Sequence, residues 1–208
     1  MPLPKISTPT YELVLPSTGK KIKYRPFLVR EEKVLILALE SQDIKQISNA
    51  VKSTLKSCVQ TRGVKIDDLP TFDIEYIFLN VRAKSVGESL DLVITCPDDN
   101  ETTVNAQIYT DDIEVVKDPE HDIEIPLDAK LTLKMKYPSM DQFIKSNFDI
   151  GESTADESFE IVASCIDTIY DAEDVWSASD CTKKELVEWV GDLNTAQFKE
   201  VEKFFNTM

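Results

Sequence analysis

Thr10 to Leu15 and Lys20 to Arg25 both alternate apolar and polar residues, and Pro16-Ser-Thr-Gly19 between them is a cluster of turn formers. That pattern predicts a β-hairpin, with Pro26 ending its second strand. Glu31 to Glu40 is built from good helix formers, with Val34, Leu35, Ala38 and Leu39 as a broad apolar face. A second helix is predicted from Asp43, a natural N-cap, to Cys58, with Ile44, Ile47, Val51, Leu55 and Cys58 on one stripe and Gly63 beyond it as a breaker. Pro70-Thr71 opens a third. Its Ile74, Ile77, Phe78 and Val81 follow helical spacing, and Gly87 is its stop.

The texture then changes. Ser89 to Thr95 reads as a strand, Pro97-Asp-Asp-Asn100 as a turn, and Thr102 to Tyr109 as the returning strand. Asp122 to Ile125 and Lys130 to Met135 alternate strictly, so this central region is expected to be a small antiparallel sheet with one wet face. Beyond Tyr137-Pro138 the pattern turns helical. Ser139 is placed to cap a short helix through Lys145. Asp156 to Tyr170 carries Phe159, Val162, Ala163, Ile166, Ile169 and Tyr170 on one side. Thr182-Lys-Lys-Glu185 and Asn194-Thr-Ala-Gln197 have capping-box form, each before an apolar stripe. The expected class is α+β, in three segments: 1–87, hairpin plus helices; 88–137, a small antiparallel β region; 138–208, an acidic helical region.

Charge changes this picture, because it is uneven. The 208 residues carry a net charge of −15, but residues 1–86 are net +5 and residues 87–208 net −20. Ser146 to Thr182 holds 10 acids and no Lys or Arg. Such a chain is either an ordinary domain with a solvated acidic surface or a polar molecule whose two parts prefer different neighbours. An acidic chain disfavours phosphate binding, so no nucleic-acid partner is expected. The N-terminus lacks the apolar core of a signal peptide, and Val34 to Leu39 is far too short to span a bilayer, so no stable membrane insertion is expected either. Cys58, Cys96, Cys165 and Cys181 have no metal-ligand spacing and read as free thiols of a reducing cytoplasm.

Candidate chemistry is sparse. No phosphate-binding glycine loop, zinc-protease helix or nucleophile elbow is present. Asp67-Asp68, Asp98-Asp99 and Asp111-Asp112 are adjacent pairs, better suited to turns than to shared metal binding. Cys96-Pro97 resembles the start of a zinc knuckle, but Asp98, Asp99 and Asn100 stand where a second Cys belongs. His121, the sole histidine, sits among acids on a polar connector and reads as a solvated residue. No catalytic residue, metal or cofactor is expected, and the chain reads as a binding, structural or assembly protein rather than an enzyme.

The N-terminal third is the distinctive part. Leu3-Pro-Lys-Ile-Ser-Thr-Pro-Thr-Tyr-Glu-Leu13, Pro16-Ser-Thr-Gly-Lys20, Tyr24-Arg-Pro-Phe-Leu28, Arg30-Glu-Glu-Lys-Val34 and Leu37-Ala-Leu-Glu40 are followed by Asp73-Ile-Glu-Tyr-Ile-Phe-Leu79 and Val81-Arg-Ala-Lys-Ser-Val-Gly-Glu88. This set, covering roughly residues 3–90, resembles the small baseplate hub proteins of T4-like contractile-tailed bacteriophages. The resemblance implies a non-enzymatic role in building the central hub of the tail baseplate, as a hub component or an assembly factor. Other hub proteins of the same phage would be its partners, met in the host cytoplasm and retained, or not, in the virion. The competing class is an acidic decoy, with residues 146–182 mimicking a phosphate backbone to occupy a host DNA-binding protein.

Two candidate interaction surfaces follow. Lys20, Lys21, Lys23, Tyr24, Arg25 and Phe27 mix cations with aromatics, either as a solvated hairpin or as a docking surface for an acidic neighbour. Phe198, Phe204 and Phe205 on the last helix either pack on their own domain or are offered to a partner groove.

Overall fold

A computed structural model describes residues 6–142 and 155–208. The class is α+β, as the pattern predicts. The chain divides into two compact units, Met1–Val115 and Val116–Met208.

In the first unit, β1 (Tyr11–Val14) and β2 (Lys21–Tyr24) form the expected antiparallel hairpin. Alternation sends Leu13, Ile22 and Tyr24 inward and Glu12, Lys21 and Lys23 outward. Three helices follow: α1 (Val29–Ser41), α2 (Ile44–Cys58) and α3 (Thr71–Val86). Asp43 caps α2 by accepting from the Lys45 and Gln46 N–H groups, and Gly87 ends α3 at a φ of 123°, a conformation that an L side chain resists. The core of this unit gathers Leu13, Leu15, Ile22, Tyr24, Leu55, Cys58, Ile66, Ile74, Ile77 and Val81.

Two helical faces differ from expectation. In α1 only Ala38 of the predicted face is buried, Leu35 is half-buried, and Val34 and Leu39 are exposed. Val34 to Leu39 is apolar without a break, so periodicity cannot select a side, and a helix packed chiefly against one neighbour, α2, buries only a narrow seam. In α2 the stripe is buried at Leu55 and Cys58, half-buried at Ile47 and Val51 and exposed at Ile44. Its burial therefore deepens toward the end that meets the hairpin, where the Arg25 N–H donates to the Cys58 carbonyl at 3.0 Å.

The central strands do not make one sheet. Among the described residues β3 (Ser89–Thr95) pairs only with β4 (Thr103–Tyr109), as a two-stranded ribbon of the first unit. β5 (Glu124–Pro126) and β6 (Thr132–Met135) belong to the second unit. There they continue into β7 (Ile166–Tyr170) and β8 (Val175–Ser177) as a four-stranded antiparallel meander. The predicted helix over Asp156 to Tyr170 is likewise corrected. Helix α4 (Ala155–Ser164) stops at Ser164, and the chain passes directly into β7. Ile166 and Ile169, three apart, imitate helical spacing because Met135 pairs with Ile166 while Lys134 pairs with Thr168. Asp167 is thus the extra residue of a β-bulge, which turns both isoleucines to the same face.

The capping boxes form as read. In α5 (Lys183–Gly191) Thr182 accepts from the Glu185 N–H, and Glu185 accepts from the Thr182 N–H at 2.7 Å. In α6 (Thr195–Thr207) Asn194 accepts from the Ala196 and Gln197 N–H groups, and Gln197 accepts from the Asn194 N–H at 3.0 Å. Ser139 and Gln142 exchange the same reciprocal bonds, while the continuation of that helix to Lys145 lies outside the described residues. The second core runs from Ile125, Leu133, Met135, Ile166 and Ile169 on the sheet to Val162, Leu186, Val190, Val201 and Phe204 on the helices.

Candidate interaction surfaces

The basic surface read from Lys20 to Phe27 is divided by the alternation of β2. Lys20, Lys21 and Lys23 are exposed, whereas Tyr24 is a core residue whose ring lies tilted to that of Tyr11 at 5.8 Å. Glu12 lies across the ladder from Lys23, and its carboxylate takes Lys21 at 2.6 Å and Lys23 at 3.6 Å, which holds its pKa below the ordinary value. Arg25 is turned inward. Its guanidinium donates to Glu31 at 3.0 Å and to the Pro26 carbonyl at 2.9 Å, and only 11% of its side chain is exposed. Phe27 is half-buried, its N–H donating to the Ser85 hydroxyl at 3.0 Å. Of the six residues, only the three lysines stand clear of the fold.

The C-terminal phenylalanines separate in the same way. Phe204 is 2% exposed and sits in the core of the second unit. Phe198 and Phe205 are half-buried and line an open groove of about 400 Å³ with Phe159, Ile161 and Val162. Phe198 meets Phe159 edge-on at 5.6 Å.

His121 is not the solvated residue its acidic neighbours suggested. Its ring lies 5.5 Å from Tyr137 and 5.1 Å from Phe204. Nδ1 and Nε2 are each 2.9 Å from a hydroxyl, of Thr207 and of Tyr137 respectively. Both partners lie far from it in sequence, so only folding supplies them. The acids also have structural employment. Asp99 accepts from the Glu101 and Thr102 N–H groups, and Asp171 from those of Glu173 and Asp174. Asp67 pairs with Lys56 at 2.6 Å. Among the described residues no group of three or more His, Cys, Asp or Glu could hold a metal, and no helix is long and apolar enough to cross a membrane.

The candidate surfaces thus present exposed lysines, half-buried phenylalanines and turn-bound acids. Compared with known families, residues 8–208 match the T4 bacteriophage base plate protein family. The chain belongs to that family. Membership carries a structural role in the bacteriophage tail baseplate, among the other proteins of that assembly. No curated protein and no solved structure matches the chain.

The two units of this baseplate protein carry charge differently. Residues 1–115 hold 14 Lys+Arg and 17 Asp+Glu, and residues 116–208 hold 9 and 21. Within the first unit the excess of acid is local: Glu88, Asp91, Asp98, Asp99, Glu101, Asp111, Asp112 and Glu114 all lie on or beside the β3–β4 ribbon. Sequence reading missed this ribbon as a surface. The signal was nevertheless available, in a stretch from Ser85 to Val116 without a single Lys or Arg.

Proposed function

We propose that this baseplate protein acts in building the central hub of the phage tail, as a hub component or hub assembly factor, without catalysing a reaction. The family match along residues 8–208 carries the reading, and the hub-like motifs between Leu3 and Glu88 direct it to the hub. The exposed Lys20, Lys21 and Lys23 supply a cationic docking surface for an acidic hub neighbour, and Phe198 and Phe205 an apolar one. Assembly takes place in the host cytoplasm, where the buried Cys58 and Cys165 stay reduced.

The test is a phage deficient in this chain, together with tagged protein recovered from infected cells. Deficient phage should accumulate incomplete baseplates, and the tagged chain should bring down hub proteins. Enrichment of host nucleic-acid-binding proteins in their place would overturn the hub reading in favour of an acidic decoy. Mass spectrometry of purified virions separates the two forms of the proposal: a component is retained and an assembly factor is not.

A further inference from the structure

The β3–β4 ribbon has two unlike faces. Its register pairs Leu90 with Ile108, Leu92 with Ala106 and Ile94 with Val104. Because side chains alternate, these six residues share one face, and not one of them is polar. The opposite face carries Ser89, Asp91, Thr95, Thr103, Asn105 and Gln107 around Val93 and Tyr109, with the Gln107 amide donating to Asp91 at 2.9 Å. An ordinary two-faced sheet buries its apolar side. Here Leu92 is 40%, Ile94 51% and Val104 60% exposed, and no third strand pairs with either edge among the described residues. A two-stranded ribbon is marginal in water on its own, and a contiguous apolar face left open marks a place where another molecule sits.

Charge identifies what kind of molecule. Asp98, Asp99 and Glu101 lie at the tip of the ribbon and Glu88, Asp111, Asp112 and Glu114 at its base, where Lys84 pairs with Glu88, so the unpaired acid is concentrated at the tip; no Lys or Arg falls from Ser85 to Val116. An apolar centre inside a charged rim is the anatomy of a protein–protein interface. A second ribbon would bring like charges together, and a nucleic acid would bring phosphates against carboxylates. We infer that the ribbon is a docking arm whose apolar face is covered by a separate baseplate protein, through an apolar patch rimmed by Lys and Arg. This rests on the proposed role in hub assembly and names the chemistry of one partner.

The test uses the full chain against each purified baseplate protein of the same phage, by binding titration and amide hydrogen exchange. Ile94→Thr/Val104→Thr keeps the β-branched shape and removes the apolar contact, while Asp98→Lys/Glu101→Lys reverses the rim at the tip. Exchange in the free variants checks that the ribbon still forms. The expected result is one partner that protects residues 89–109, binds more weakly as salt rises, and loses about tenfold or more in affinity with either variant. Binding that leaves those amides unprotected and ignores both variants overturns the arm while leaving the hub reading standing. Self-association that depends on Ile94 and Val104 overturns it in favour of a second copy. Binding to none of the baseplate proteins overturns both the arm and the hub reading.

Discussion

The Arg25 guanidinium donates to the Glu31 carboxylate at 3.0 Å, with only 11% and 9% of the two side chains exposed. The same carboxylate accepts from the Leu28 N–H at 2.6 Å, the amide just ahead of α1. One carboxylate therefore closes the start of a helix and fixes the end of the preceding hairpin. Removing it by Glu31→Ala leaves a buried guanidinium without its counter-ion. The expected cost is about 3–5 kcal/mol in urea unfolding. A loss near zero would show that Arg25 finds another partner.

The same pair sets a pH dependence. Burial opposes the charged form of Glu31, but the hydrogen bonds from Arg25, the Leu28 N–H and Arg30 outweigh it and hold the carboxyl at about 2, against an ordinary 4.5. A carboxyl depressed on folding stabilises the protein above its unfolded value, and that contribution fades as pH falls from about 4.5 through about 2, a loss on the order of 3 kcal/mol. Comparing urea unfolding at pH 6 and pH 3 should show a drop that is smaller in Glu31→Gln. Equal drops in the two proteins would place the acid sensitivity elsewhere.

Asp73 joins the first hairpin turn to α3. Its buried carboxylate accepts from the Ser17 N–H at 3.0 Å and from the Ser17 hydroxyl. Asp73→Ala orphans that amide, and a destabilisation of about 1–3 kcal/mol is expected. Ser17→Ala, which keeps the amide bond, should cost less. The reverse order would show that the hydroxyl is the main link.

The four thiols should divide by burial. Cys58 and Cys165 are fully buried, and burial pushes each thiol up to about 11, so neither is nucleophilic in the native state. Cys96 and Cys181 are half-buried. Native alkylation at neutral pH should modify Cys96 and Cys181 first, and unfolding should be needed to count four. Rapid labelling of Cys165 in folded protein would contradict its place in the second core.

Phe204 and Phe205 are neighbours with different expected costs. Phe204→Ala empties a core position stacked on Tyr137 and in tilted contact with His121, at a cost of about 3–5 kcal/mol. Phe205→Ala, on the open groove, should cost less and leave the melting temperature nearer that of the parent. If the hub proposal holds, Phe205→Ala and the triple change of Lys20, Lys21 and Lys23 to Glu should both fold and impair hub assembly. Normal assembly with the lysine variant at low salt would reduce that hairpin face to a solvated surface.

Local signals carried much of this fold. The first hairpin, the Asp43 cap, the Gly87 stop, the strand from Ser89 to Thr95 and the two capping boxes all depend on residues within a few positions of one another, so sequence spacing alone determined them. The acidic run from Ser85 to Val116 was equally present in the sequence. Tertiary structure decided what depends on distant partners. It put β3–β4 and β5–β6 in different sheets, because a strand's neighbours are set by which edges meet and not by its own pattern. It turned Ile166 and Ile169 from an apparent helical stripe into a bulged strand, because β6 offered an edge to pair with. It divided the candidate surfaces as well. Tyr24, Arg25 and Phe204 went inward while Lys20, Lys21, Lys23, Phe198 and Phe205 kept solvent contact, since burial is a property of what packs above a side chain. His121 owes its hydroxyl partners at positions 137 and 207 to the packing of the second unit, for the same reason.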